Sequence, residues 1–131
     1  MPVQVIWDDE AHTILRQIYT GHLKLADYLE ASDEFGRMAK LVTHTVHSIM
    51  DRTGVLSTPG VMLPALRYAN NNLPPNIGIR VIVKGSMFTR LLVDIGRRAA
   101  PSLTKQVYFV ETLEEARNLI AQHAEKEAAV S

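Results

Sequence analysis

A chain of 131 residues is the size of one domain with its own core, and 47% apolar residues is far more than a disordered chain carries. Lysine plus arginine and aspartate plus glutamate both number 14, so there is no net field to hold nucleic acid or an anionic membrane. Cysteine is absent, which excludes disulfides, thiolate metal sites and cysteine nucleophiles.

Val3–Trp7 alternates apolar and polar residues as a strand does, and Asp8-Asp9-Glu10 supplies a turn. Thr13–Thr20, rich in β-branched and aromatic residues, reads as a second strand antiparallel to the first. From Leu25 the stripe at 25, 28, 29, 32, 35 and 39 has helical spacing, with Ser32 as its one polar member. Val46–Met50 reads as a short third strand closed by a turn at Asp51-Arg52-Thr53-Gly54. After Ser57-Thr58-Pro59-Gly60 comes a helix from about Val61 to Asn70, with Pro64 in its first turn, where a missing N–H is harmless.

Asn70-Asn71-Asn72-Leu73-Pro74-Pro75 ends that helix, and Ile77–Val83 is apolar enough for a strand covered on both faces. Ser86 is a suitable N-cap for a helix bearing Met87, Phe88, Leu91, Leu92, Ile95 and Ala99 on one side and stopped by Pro101. Val107–Val110 is a fifth strand. Thr112 and Glu115 form a capping box for a last helix that buries Ala116, Leu119, Ile120 and His123 and frays from Glu125. The order β-β-α-β-α-β-α-β-α predicts one α/β domain over residues 1–131: a single-layer, mostly parallel five-stranded sheet with an N-terminal antiparallel hairpin and four helices. MPVQVIWDDE has no signal-peptide pattern, and no apolar run reaches the length of a membrane span. The expectation is a cytoplasmic protein without membrane insertion.

A strand followed by Asp51-Arg52-Thr53-Gly54 and a helix resembles the phosphorylation loop of the anti-sigma-factor antagonists, which reads Asp-Ser-Ser-Gly. Trp7-Asp8-Asp9 in the opening hairpin, the Pro74-Pro75 turn before an apolar strand and Thr112-Leu113-Glu114-Glu115-Ala116 extend the likeness to small bacterial proteins of the STAS/Sec14-like fold group. The resemblance implies an antagonist-like α/β fold and a non-enzymatic regulatory or scaffolding role. Thr53 would be its phosphoacceptor, with Asp51, Thr53, Gly54 and Val55 facing a protein partner or a second copy of the chain as a homo-oligomer. A phosphate there would add charge beside a helix N-terminus. Asp and Thr after a strand also serve ordinary turn chemistry.

The alternative is a module for a small anionic ligand or lipid headgroup. Lys84-Gly85-Ser86 leads from strand to helix, where an anion can meet free N–H groups, and Arg90 and Arg97 share the next helix face, with Arg98 and Lys105 nearby. The same arginines suit a solvated face and a helix C-terminus. Nucleic-acid binding is not expected, because no aromatics interleave with them. Ser57, Ser86 and Ser102 lie in no nucleophile motif, so no catalytic residues are expected and no enzyme. His44 and His47 alone are close, too few for a metal, and no cofactor is implied. Met38, Met50, Met62 and Met87 with Phe35 and Phe88 could line a ligand pocket or simply fill the core.

Overall fold

In the computed structural model, alternation in the first two segments produces an antiparallel pair, β1 (Val3–Trp7) and β2 (Ile14–His22), in register from Val3 opposite Tyr19 to Trp7 opposite Leu15. Residues 2–60, 62–87, 90, 91, 93, 94, 98 and 106–130 are described, the last four by backbone alone. The hairpin turn is tied by Asp9, whose Oδ1 accepts the N–H groups of Thr13 and Ile14 at 2.9 and 3.0 Å. His12 takes φ 57° and stacks on Trp7, ring centroids 4.4 Å apart.

Helix α1 (Leu25–Ala39) opens with Asp27 accepting the Lys24 N–H at 2.8 Å, and it buries Tyr28, Ala31, Phe35 and Ala39 against the sheet. β3 follows as Val46–Ser57, parallel to β2. This corrects the expected short strand ending at Met50 and its closing turn at Asp51–Gly54. The reason lies outside the segment: β2 runs to His22, so it offers ladder partners to Gly54, Val55 and Ser57. Leu23 N–H then bonds Ser57 C=O at 3.0 Å, and irregular register at Thr20 and Gly21 absorbs the turn-forming residues. Paired backbone outweighs local turn preference here.

Helix α2 (Leu63–Asn71) carries Pro64 in its first turn, as expected, and begins after Met62 rather than Gly60. β4 (Ile77–Val83) and β5 (Val107–Val110) complete a five-stranded sheet in the order β1-β2-β3-β4-β5, all parallel except β1. Helix α3 (Leu113–Val130) starts on Thr112, whose Oγ1 accepts the Glu115 N–H at 3.1 Å. It does not fray at Glu125, because Ala, Glu and Lys dominate its second half and hold helix well alone. Of the four expected helices these three are described. Much of the one after Ser86 lies outside the described residues, including Phe88, Leu92, Ile95, Arg97, Ala99 and Pro101, though Arg90 N–H does bond Ser86 C=O at 3.0 Å. No described helix is long and apolar enough to cross a membrane.

Strand alternation divides the sheet into two faces. Leu15, Tyr19, Val46 and Ile82 belong to the face under α1 and α2, while Ile49, Ile79, Val81 and Val83 pack on Ala116 and Ile120 of α3. Ile77–Val83 is thus covered on both sides, as its composition predicts.

A charge cluster fastens α3 to the hairpin. Arg117 grips Asp8 with two bonds of 2.9 and 2.8 Å, and Arg16 Nε stands 3.4 Å from the same carboxylate, which is 4% exposed. Asp8→Ala removes the buried carboxylate that holds together the guanidinium groups of Arg16 and the half-exposed Arg117. The expected loss is about 2–3 kcal/mol in urea unfolding, and Arg117→Ala on top of it should add less than it does alone.

Candidate functional site

The residues picked out from the sequence are not all brought together. Asp51 and Thr53 fall on the α3 side of β3 by alternation, and the Thr53 N–H donates to Asp51 Oδ1 at 3.0 Å, the local bond expected of a turn but made within a strand. Thr53 and Gly54 are exposed and Val55 is half-buried against the cluster around Tyr19 and Leu23. Arg90 is engaged: its Nη2 donates to Glu111 at 3.0 Å and its guanidinium lies 5.1 Å from the Phe109 ring centre. Arg97 lies outside the described residues. His44 and His47 diverge, His44 touching the His12 carbonyl oxygen at 2.8 Å and His47 buried on the α3 face.

Ser86 does stand at an opening. With Ser57, Thr58 and Lys84 it lines a shallow hollow of about 400 Å³ where the C-terminal ends of β3 and β4 meet. Lys84 reaches that place through a left-handed backbone, φ 60°. This is where open α/β sheets present ligands.

The residue that sequence reading missed is Arg52. It entered only as one member of the Asp51–Gly54 motif, yet it lines both the hollow and a partly open cavity of about 140 Å³ behind it. The cavity lies between the sheet and helices α1 and α2. Phe35, Met50, Met62, Ile82 and Val107 form apolar walls, and Ser32, the polar gap in the α1 stripe, is part of the lining. A usable signal did exist: counting alternation from buried Val46 through Ser48 and Met50 puts position 52 on the inward face.

Arg52 is only 4% exposed. Its Nη1 donates to Tyr28 Oη at 2.6 Å and its Nη2 to Thr58 Oγ1 at 2.7 Å. The Tyr28 and Tyr19 rings lie 5.7 and 6.0 Å from the guanidinium carbon. Nε is buried without a hydrogen-bond partner, and among the described residues no carboxylate lies within ion-pair distance of the group. Tyr19 itself is fully enclosed. Burial, with a smaller contribution from Tyr28, pushes its phenol well above the ordinary value, so it stays protonated and donates to Gln17 Oε1 at 3.3 Å.

A buried cation without a counter-charge is costly, and two neutral hydrogen bonds with two ring faces offset only part of it. What would complete the arrangement is an anion on the unused guanidinium edge. A planar fork suits a carboxylate above all. The apolar walls suit a hydrocarbon body attached to it. Comparison with known proteins adds no name to this geometry: neither a family model nor a curated protein matches the chain.

Proposed function

We propose that the protein is a non-enzymatic binding domain for a small, mostly apolar molecule carrying one carboxylate, held in the cavity with Arg52 as its anchor and admitted past Thr58, Lys84 and Ser86. The observation that carries this reading is a buried arginine, its Nε unsatisfied, lining a mostly apolar cavity with no acid within ion-pair distance among the described residues. The volume bounds the ligand. Cavities of this size take a benzene ring, so benzoate and short-chain carboxylates are the apt probes. At about 0.7 kcal/mol for each of benzoate's roughly nine heavy atoms, Kd falls at about 10–100 µM.

Calorimetric titration with benzoate, hexanoate and neutral benzyl alcohol tests it, beside native mass spectrometry of freshly purified protein. Binding of the carboxylates with benzyl alcohol at least about 30-fold weaker is the expected result. Equal binding of the alcohol, or no binding of any acid, overturns the reading.

A regulatory, partner-binding role joins this proposal through one contact. Thr58 sits in the segment after β3 and bonds Arg52 directly, so an anion drawing the guanidinium toward its unused edge would shift that segment through the shared bond. Leu56, 73% exposed beside it, gives a partner an apolar foothold. Membership of the antagonist-like fold group belongs to the same proposal. What supports it is the mixed sheet that opens with an antiparallel hairpin. Phosphorylation of Thr53 is its most specific element. Mapping phosphopeptides of protein from its native cell should find phosphate there, and clean absence across growth conditions removes the switch.

A further inference from the structure

We infer that the open edge of β1 is a docking site for an extended basic peptide, added to the sheet as a sixth strand. The inference does not depend on the Arg52 cavity. Thr20 N–H bonds Pro2 C=O and Asp8 N–H bonds Ile14 C=O, both at 2.9 Å. Even-numbered residues of β1 therefore turn their backbone toward β2, and Val3, Val5 and Trp7 turn theirs outward. Those outward N–H and C=O groups make no hydrogen bond with any described residue.

Sheet edges are normally blunted by charged side chains, proline or a bulge. β1 reads Val-Gln-Val-Ile-Trp: no charge, strong strand formers, and a proline only before its first residue. A bare edge of this kind either pairs with something or invites aggregation.

The chemistry of the partner follows from what flanks the edge. Between β1 and α1 runs a groove of about 600 Å³ lined by Asp27, Glu30 and Glu34 and by no basic side chain among the described residues; Glu34 is held from outside the groove by Arg37 and Asp27 by the Lys24 N–H, while Glu30 makes no bond with a described residue. Val3, Val5 and Trp7 point their side chains toward this α1 side, where they join the core clusters. An added strand would send alternate side chains to the same side, into the carboxylates. Lysine or arginine there pairs with Glu30 and adds a second cation to Glu34 and Asp27, leaving the groove balanced. A second copy of the chain does not, because β1 against β1 about a two-fold axis brings two such acidic flanks together.

The test uses fluorescence anisotropy with a labelled heptapeptide, acetylated and amidated, of sequence Lys-Val-Lys-Val-Lys-Thr-Lys. Two N-methylated versions are compared, one methylated on the lysines and one on the residues between them. In a bound strand only one set faces β1, so one version should bind at least tenfold more weakly and the other within twofold of the parent. Simple charge attraction cannot tell them apart. Glu30→Lys should weaken binding at least threefold. Val5→Pro should abolish it, since it removes an outward N–H and spares the β2 ladder, and the Glu30 variant with the paired peptides decides the matter if that chain does not fold. Equal binding of both methylated peptides, no binding of the parent, or a stable β1-to-β1 dimer in sedimentation overturns the inference.

Discussion

Arg52→Met should lose carboxylate binding by at least about 30-fold while leaving the domain as stable as the native chain or more so, by about 1–2 kcal/mol. The two halves of this result have one cause. The guanidinium is 4% exposed and has no carboxylate within reach among the described residues. Its hydrogen bonds to Tyr28 and Thr58 replace only part of the water it gave up. Methionine has nearly the same reach, packs polarisable atoms beside the stacked Tyr19 and Tyr28 rings, and needs no counter-charge. Tyr28 loses a donor but keeps its own hydroxyl proton to give, and Thr58 is only half-buried.

A structural arginine would behave in the opposite way, because removing it would strip a stabilising pair. The measurement is therefore a matched set of urea unfolding and benzoate titration on the native protein and the variant. Weaker binding together with a loss of more than about 2 kcal/mol would mark Arg52 as a framework residue and end the anchor assignment. Arg52→Lys sharpens the point. The ammonium retains charge but not the fork, so it should still lose most of the affinity.

Much of the architecture was legible because its signals are local. Alternation gave β1, β-branched and aromatic content gave β2, the unbroken apolar run gave β4, and the stripe from Leu25 gave α1. The Thr112–Glu115 cap fixed the start of α3. The end of β3 was not legible, since Asp51, Thr53 and Gly54 are turn formers held extended by a neighbouring strand. The site failed for a related reason. Arg90 looked available until folding set Glu111 beside it, 21 residues away. Arg52 became meaningful only once the strand continued through it and no acid among the described residues arrived opposite. Phe35, Met50 and Met62, by contrast, do line a cavity, the reading that their spacing left open beside plain core packing.

Gly78→Ala should destabilise the domain by about 3–5 kcal/mol, against the gain of about 0.4–1 kcal/mol that the same change brings where there is room. A Cβ at position 78 would stand 2.3 Å from Nδ1 and 2.4 Å from Cε1 of His47, and 2.9 Å from the Thr45 methyl. His47 cannot simply turn aside. It is 5% exposed, its Nδ1 accepts the buried Ile79 N–H at 3.0 Å, and its ring meets His123 edge-on at 6.0 Å. The irregular pairing here, where Val46 to Ser48 spans Ile77 to Arg80, is what leaves Ile79 N–H for a side chain instead of a ladder partner. Displacing the imidazole therefore adds an unsatisfied donor to the overpacking. Urea midpoints for Gly78→Ala, His47→Ala and the double variant separate the two effects. His47→Ala alone loses the acceptor, and Gly78→Ala in that background should lose less than about 1 kcal/mol, because its main obstacle is gone. Full additivity would mean that the imidazole is not what the glycine makes room for.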